Sequence, residues 1–218
     1  MIENTRLFGL YLRRLRDSKG LKSTNIALRL DSHQSIVSSI EHGKKKLSDE
    51  DCERILKAYE GEYVEDKELE QHAVSMIKLL FEFKCNHHDD EDIAELARVR
   101  DKHVYDNSSS FLLADFIELL LNWGETGFAK KLEDFGECAD YLPDDIYAIY
   151  LFLEAIYLKP QKDIKDNLIK ANARTLPTDY YFRSAIIFEM LVNNNVSKSS
   201  SERQHYLKGL QHNAEMAH

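Results

Sequence analysis

The sequence has few of the residues that interrupt helices. Its 218 residues include three prolines and eight glycines, too few to punctuate the many short strands of a sandwich or barrel. Residues that favour helices, such as Leu, Ala, Glu and Lys, are abundant instead. The composition therefore predicts an all-α fold.

Long apolar runs and paired cysteines are also lacking. No run approaches the ~18 residues that a membrane-spanning helix needs, because Asp115, Glu118 and Glu154 interrupt the most apolar stretches. The first residues, MIENTR, show no apolar export signal. Three cysteines, far apart in the chain, favour reduced thiols over a disulfide framework. We therefore expect a cytoplasmic protein with no membrane segment.

The motifs of common catalytic sites are missing from the sequence. It contains no Gly-rich phosphate loop, nucleophile elbow or HExxH pair. Metal-type ligands are concentrated at Cys85 and residues 87–92, but adjacent histidines rarely bind one ion, so we interpret this run as the charged start of a helix. We expect no enzyme activity, no catalytic residue, no cofactor and no metal.

The net charge of −9 conceals two parts of opposite sign. Residues 1–48 hold ten basic and four acidic residues, a net charge of +6, whereas the remaining residues carry −15. A basic module attracts phosphates and an acidic one is repelled by them. The asymmetry indicates that the two parts have different partners.

Helical periodicity predicts several short helices in the basic part. Phe8, Leu12 and Leu15 share one helix face, and Gly20 ends that helix. A second helix covers residues 23–30, and a third follows the polar break at 31–33 and ends at Gly43. Two short helices joined by a tight turn predict a helix-turn-helix.

The spacing of these residues resembles the Cro/CI (XRE) family of repressors over roughly residues 6–60. The resemblance rests on Gly9, Leu12, Leu15-Arg16, Gly20-Leu21, Ile26-Ala27, Leu30, Val37, Ile40-Glu41 and Gly43-Lys44. It implies a DNA-binding domain over residues 1–62 of the lambda-repressor type, in which Arg16 pairs with Glu41. Two positions depart from the family pattern: Asp31 replaces the usual turn glycine, and Ser32 replaces an apolar residue.

The same resemblance assigns the expected DNA contacts. On the recognition helix the groove-facing residues are His33, Gln34, Ser35 and Ser39. Among these Gln34 is the leading base reader, because glutamine can bond adenine N6 and N7 together. Expected phosphate contacts are Ser23 and Thr24 at the start of the second helix, and Lys44, Lys45 and Lys46 after the third. The alternative interpretation of Ser23 and Thr24 is helix capping, and that of the three lysines is a solvated run of charge.

The acidic part, residues 66–218, predicts a second domain of stacked helical hairpins. We place helices at 66–84, 90–103, 109–123, 126–140, 144–158, 161–173, 178–193 and 200–212. Leu142-Pro143 and Leu176-Pro177 lie 34 residues apart, as do Asp145 and Asp179. That period is typical of tetratricopeptide-like repeats, although an irregular helical bundle remains an alternative. The aromatic residues between Tyr141 and Phe182 predict either core or a ligand groove.

A Cro/CI-type domain followed by degenerate helical repeats resembles the peptide-responsive regulators of the Rgg and PlcR group. This resemblance implies a transcriptional regulator that forms a homodimer, binds a double-stranded DNA operator and responds to a short peptide or small ligand through residues 66–218. The alternative is a repressor or antitoxin-like protein whose helical domain binds a protein partner.

Overall fold

The computed structural model describes residues 2, 4–86, 107–159, 161–176, 179–193, 208, 209, 211–213, 215 and 216. Helices dominate this part of the chain, so the predicted all-α class is confirmed. One isolated parallel β-bridge joins Val64 and Ser108. Among the described residues, none of the helices is both long and apolar enough to cross a membrane.

Four helices form the amino-terminal part: α1 (Thr5–Ser18), α2 (Ser23–Arg29), α3 (Gln34–Glu41) and α4 (Asp49–Tyr59). Asn4 caps α1 by accepting a hydrogen bond from the Leu7 amide, and Ser48 caps α4 by accepting one from the Asp51 amide. Such caps satisfy amides that have no partner within the helix. The predicted helix-turn-helix is therefore α2, a four-residue turn and α3.

The apolar faces of these four helices meet in one core. Phe8, Leu12, Ile26, Val37 and Ile55 are almost fully buried there. The predicted periodicity thus identifies the buried faces of α1, α2 and α3, because only one face of each short helix can pack inward.

In the described part of the chain six further helices follow: α5 (Lys67–Asn86), α6 (Phe111–Leu121), α7 (Phe128–Phe135), α8 (Asp144–Tyr157), α9 (Gln161–Arg174) and α10 (Tyr180–Asn193). A short 3₁₀ helix covers Ala139–Tyr141. The predicted helix at 90–103 lies outside the described residues. Of the predicted helix at 200–212, the described residues 208, 209, 211 and 212 are helical.

The described residues fall into two compact units. The first comprises those of Met1–Ala73 and Arg100–Asp115, and the second comprises those of Val74–Val99 and Phe116–His218. The division at residues 62–66 remains a prediction.

Residues 107–115 pack against α1 and Val64 within the first unit. The Val64 amide donates to the Asn107 carbonyl at 2.8 Å, and the Ser109 amide donates to the Val64 carbonyl at 2.8 Å. The ring of Phe111 lies 5.8 Å from that of Tyr11 and 5.1 Å from the Arg14 guanidinium. These contacts make the amino-terminal unit discontinuous in sequence.

Aromatic side chains form the core of the second unit. The Phe81 ring of α5 lies 5.4 Å from Phe152 of α8 and 4.8 Å from Phe182 of α10, and it stacks on Trp123. Tyr150 is buried as well. Core packing, one of the two predicted roles, therefore describes Tyr150, Phe152 and Phe182, whereas Tyr157 is 38% exposed.

One lysine joins three helical segments of the second unit. Lys78 Nζ of α5 lies 2.8 Å from Asp145 Oδ2 and 3.5 Å from Asp179 Oδ2. Burial opposes the charge on Lys78, but the hydrogen bonds to Asp145 and Asp179 outweigh it and raise the lysine pKa. The two aspartates separated by 34 residues thus converge on one cation, whereas a tetratricopeptide-like architecture remains a prediction.

Candidate DNA-binding face

Two glycines allow α1 to approach the end of α3 closely. A Cβ atom on Gly9 would lie 2.6 Å from the Ile40 carbonyl oxygen and 2.7 Å from that of Glu41. Gly43 has φ +62°, and a Cβ there would meet the Arg6 backbone. Any larger residue at either position would push α3 away from α1. The position of the recognition helix therefore depends on both glycines.

A buried carboxylate fixes the end of α3. Arg16 donates from Nε to Glu41 Oε1 at 2.7 Å and from a terminal nitrogen to Oε2 at 3.1 Å. The hydroxyl of Tyr59 donates to Glu41 Oε1 at 2.8 Å. The hydrogen bond from Arg16 to Glu41 raises the arginine pKa. The pair implied by the resemblance is thus brought together, with a third partner on α4 that sequence reasoning missed.

The turn between α2 and α3 adopts the backbone that glycine usually supplies. Asp31 has φ +49°, a region that aspartate tolerates better than most residues. The Ser32 amide donates to the Ala27 carbonyl at 2.9 Å and closes the turn. Ser32 itself is half-buried. Neither departure from the family pattern disrupts the local structure.

The expected groove-facing residues lie on the outer side of α3. His33, which precedes the helix, Gln34 and Ser35 are exposed, and Ser39 is half-buried. Ser39 Oγ donates to the Ser35 carbonyl at 2.9 Å, so its hydroxyl oxygen is left to accept. Ser38 and His42 are also exposed on this side, and sequence reasoning left them out, although their i and i+3 spacing from Ser35 and Ser39 was a usable signal.

A hydrogen bond connects the expected base reader to the start of α2. Gln34 Nε2 donates to Ser23 Oγ at 2.7 Å. Ser23 is the first residue of α2 and Lys22 is its N-cap, so the interpretation of Ser23 as the cap is wrong. Thr24 is exposed beside it.

The three lysines after α3 are exposed. Lys44, Lys45 and Lys46 follow Gly43 and precede α4. The Lys44 amide donates to the Ser39 carbonyl at 2.9 Å, which turns the chain sharply away from the helix. Residues 87–92, which we interpret as the charged start of a helix, lie outside the described residues. Among the described residues no group of three His, Cys, Asp or Glu is arranged to hold a metal ion.

A comparison with known protein families finds a match for the amino-terminal part of the chain. Residues 7–66 match a family described as a helix-turn-helix domain. Comparisons of the chain with curated proteins and with solved structures find no match. The matched residues contain α1 to α4 in full except for the first two residues of α1. The chain therefore carries an amino-terminal helix-turn-helix domain of a DNA-binding regulator.

Proposed function

We propose that the chain is a sequence-specific transcription regulator of the Cro/CI type that places α3 in the major groove of an operator. The proposal follows the resemblance of residues 6–60 and the helix-turn-helix match over residues 7–66. It includes a cytoplasmic location, because DNA is the expected partner.

The observation that carries the proposal is the absence of acid from the outer face of α3. Glu41 is the one carboxylate in this helix, and it is buried against Arg16 and Tyr59. The exposed residues, from Gln34 to His42, are neutral or basic, and three lysines follow. A face of this kind accepts a polyanion without charge repulsion.

The hydrogen bond from Gln34 to Ser23 leaves the glutamine able to read a base. One amide N–H is used by Ser23, while the second N–H and the carbonyl oxygen are left. Adenine N7 needs a donor and adenine N6 needs an acceptor, so bidentate reading is retained. We propose that Ser23 pre-orients Gln34 and that Ser23, Thr24 and the lysines contact phosphates, while His33, Ser35 and Ser39 make shorter groove contacts.

We further propose that residues 66–218 provide self-association and signal reception. Their net charge disfavours DNA, which leaves peptides, small ligands and proteins as partners. Large apolar side chains are exposed in the second unit, such as Ile169 at 48% on α9 and Phe188 at 56% on α10. The alternative function is an antitoxin-like repressor whose helices bind a protein partner. The same exposed apolar side chains would then contact that partner.

The test of DNA reading is a selection from a random duplex library with the purified full-length chain. We expect enrichment of a palindromic motif with half-sites about one helical turn apart. Binding that persists at low salt without any enriched motif would contradict sequence-specific reading. Failure to bind any duplex at low salt would contradict DNA binding altogether.

A further inference from the structure

Residues 107–115 form a strap that is attached to the helix-turn-helix domain from a distant part of the chain. The match to the helix-turn-helix family ends at residue 66, so the strap belongs to the residues for which we propose signal reception. Two amide hydrogen bonds join its start to Val64. Its last five residues are the first five of α6, which continues to Leu121. Because a helix moves as a rigid element, a shift of α6 would move the end of the strap.

The strap and α3 contact opposite sides of α1. On one side, Arg14 of α1 pairs with Asp115 and lies over the ring of Phe111 at 5.1 Å. On the other side, Arg16 pairs with Glu41 at the end of α3. Arg14 and Arg16 are about 200° apart around the helix, because each residue advances it by ~100°. A displaced strap would therefore release the side of α1 that lies opposite the proposed recognition helix.

Two buried hydroxyls beside the strap have no hydrogen-bond partner among the described residues. They belong to Ser110, which is fully buried, and to Tyr63, which precedes Val64. Burial raises the pKa of Tyr63, and acidic neighbours that include Glu70 contribute in the same direction. Glu70 also accepts a hydrogen bond from the Ser109 hydroxyl of the strap. A buried polar group without a partner costs free energy that water restores on exposure, so these hydroxyls favour detachment.

We propose that the strap detaches reversibly from α1 and Val64, and that DNA favours its attached state. Attachment holds α1, and α1 holds the end of α3. A ligand of residues 66–218 that favours the detached strap would therefore weaken DNA binding. This inference rests on the proposed DNA-binding function. The competing explanation is that the strap is a permanent part of the first unit and opens only when the whole unit unfolds.

The experiment measures native-state hydrogen exchange in the full-length chain at two strap amides. These are the amides of Val64 and Ser109, which donate to Asn107 and Val64 respectively. The reference is the amide of Ile55, a buried residue within α4 that reports on unfolding of the unit. A detaching strap predicts faster exchange at both strap amides than at Ile55. Equal protection at all three amides would overturn the inference.

Deletion of each unpaired hydroxyl tests why the strap detaches. Ser110→Ala and Tyr63→Phe remove the hydroxyls and keep the rest of the packing. Each should slow exchange at the two strap amides by ~5-fold or more relative to Ile55, because an unsatisfied buried group is removed. Faster exchange in both variants would show that the hydroxyls hold the strap in place, and would contradict the inference.

The ion pair at the end of the strap gives a change of opposite sign. Asp115→Asn removes the charge that faces Arg14 and should speed exchange at the strap amides by ~2- to 5-fold, the range of one partly exposed ion pair. The matched control is Asp134→Asn, since Asp134 pairs with Lys130 on α7 of the second unit. This control should leave the strap amides unchanged, and an equal effect of the two substitutions would count against the strap.

Addition of a random-sequence duplex of 30 base pairs at low salt tests the link to DNA. Exchange at the strap amides should slow once the duplex is bound, because DNA binding and strap attachment favour each other. Unchanged strap exchange in a chain that binds the duplex would overturn the inference and leave DNA binding intact. A chain that binds no duplex would instead overturn the proposed function, whereas the hydroxyl variants would still decide whether the strap detaches.

Discussion

Arg16 is bonded to two carboxylates that differ in exposure. The Glu41 side chain is 5% exposed, whereas that of Asp17, 2.6 Å from the same arginine, is 61% exposed. Loss of one partner of a buried pair leaves an uncompensated charge and costs about 3 kcal/mol or more. An exposed pair contributes about 0–1 kcal/mol, because water and salt screen it.

We therefore expect Glu41→Ala to destabilise the first unit by about 3 kcal/mol, and Asp17→Ala to have a small effect. Native-state hydrogen exchange of the α1 and α3 amides measures both changes in the unit concerned. Equal effects of the two substitutions would show that Glu41 does not fix the end of α3. Tyr59, which bonds to the same carboxylate, would lose its partner only in the Glu41 variant.

The proposed base contact of Gln34 can be tested separately from the proposed phosphate contacts of the lysines. Gln34→Ala should weaken binding to a selected operator by ~1–3 kcal/mol and leave binding to random DNA nearly unchanged, because only a base contact is lost. Replacement of Lys44, Lys45 and Lys46 by alanine is the contrasting variant. It should weaken both complexes and reduce the salt slope by up to about 0.9 per phosphate contact. Equal losses on both DNAs from Gln34→Ala would remove Gln34 from the base readers.

Single residues of this face were predictable to different degrees. Asp31 could be placed in a left-handed turn because the resemblance to the Cro/CI family puts it where glycine is usual, and aspartate tolerates positive φ better than most residues. The partnership of Tyr59 with Glu41 joins residues 18 positions apart on different helices. Such a bond depends on how α4 crosses α3, which periodicity does not specify.

At the scale of elements, helix existence was easier to predict than helix ends. The predicted helix at 126–140 is instead α7, Phe128–Phe135, followed by a 3₁₀ turn at Ala139–Tyr141. Two glycines explain the difference: Gly127 has φ +90° and precedes the helix, and Gly136 ends it. Glycine costs about 1 kcal/mol in a helix interior, so helices commonly stop there.

Lys78 and Lys130 allow a matched test of how α5 is held in the second unit. Each lysine lies within 3.5 Å of two carboxylates. The Lys78 side chain is 31% exposed, and its two partners are distant from it in sequence. The Lys130 side chain is 69% exposed, and its two partners are neighbours on α7. Lys78→Ala leaves Asp145 and Asp179 facing each other without a cation. We expect a loss of about 1–3 kcal/mol for Lys78→Ala and no measurable change for Lys130→Ala.

Trp123 provides the measurement for these two variants. It is the single tryptophan of the chain, it stacks on Phe81, and it donates to the Tyr157 hydroxyl at 2.7 Å. Its fluorescence during urea unfolding therefore reports on the second unit. Equal midpoints for Lys78→Ala and the unchanged chain would show that the charge cluster does not stabilise α5.

At the scale of the whole molecule, the length of the recognition helix sets a requirement for DNA recognition. With eight residues, α3 is ~12 Å long and offers only a few side chains to base edges. One helix of this length therefore contacts too few base pairs to select a single site in a genome. Two such helices related by a two-fold axis would read a palindrome with half-sites about 34 Å apart.

We therefore expect the chain to be a homodimer at micromolar concentration, with a mass by light scattering of about twice 25.4 kDa. Substitution of exposed apolar side chains in the second unit tests where the dimer interface lies. Ile169→Ser together with Phe188→Ser should favour the monomer, because burial of these side chains drives association. Leu28→Ser is the matched control, since Leu28 is 81% exposed but lies on α2 of the first unit. If the chain is a monomer and still selects a palindrome with full affinity, the expected dimer is refuted. If only the Leu28 variant loses the dimer, the interface lies in the first unit.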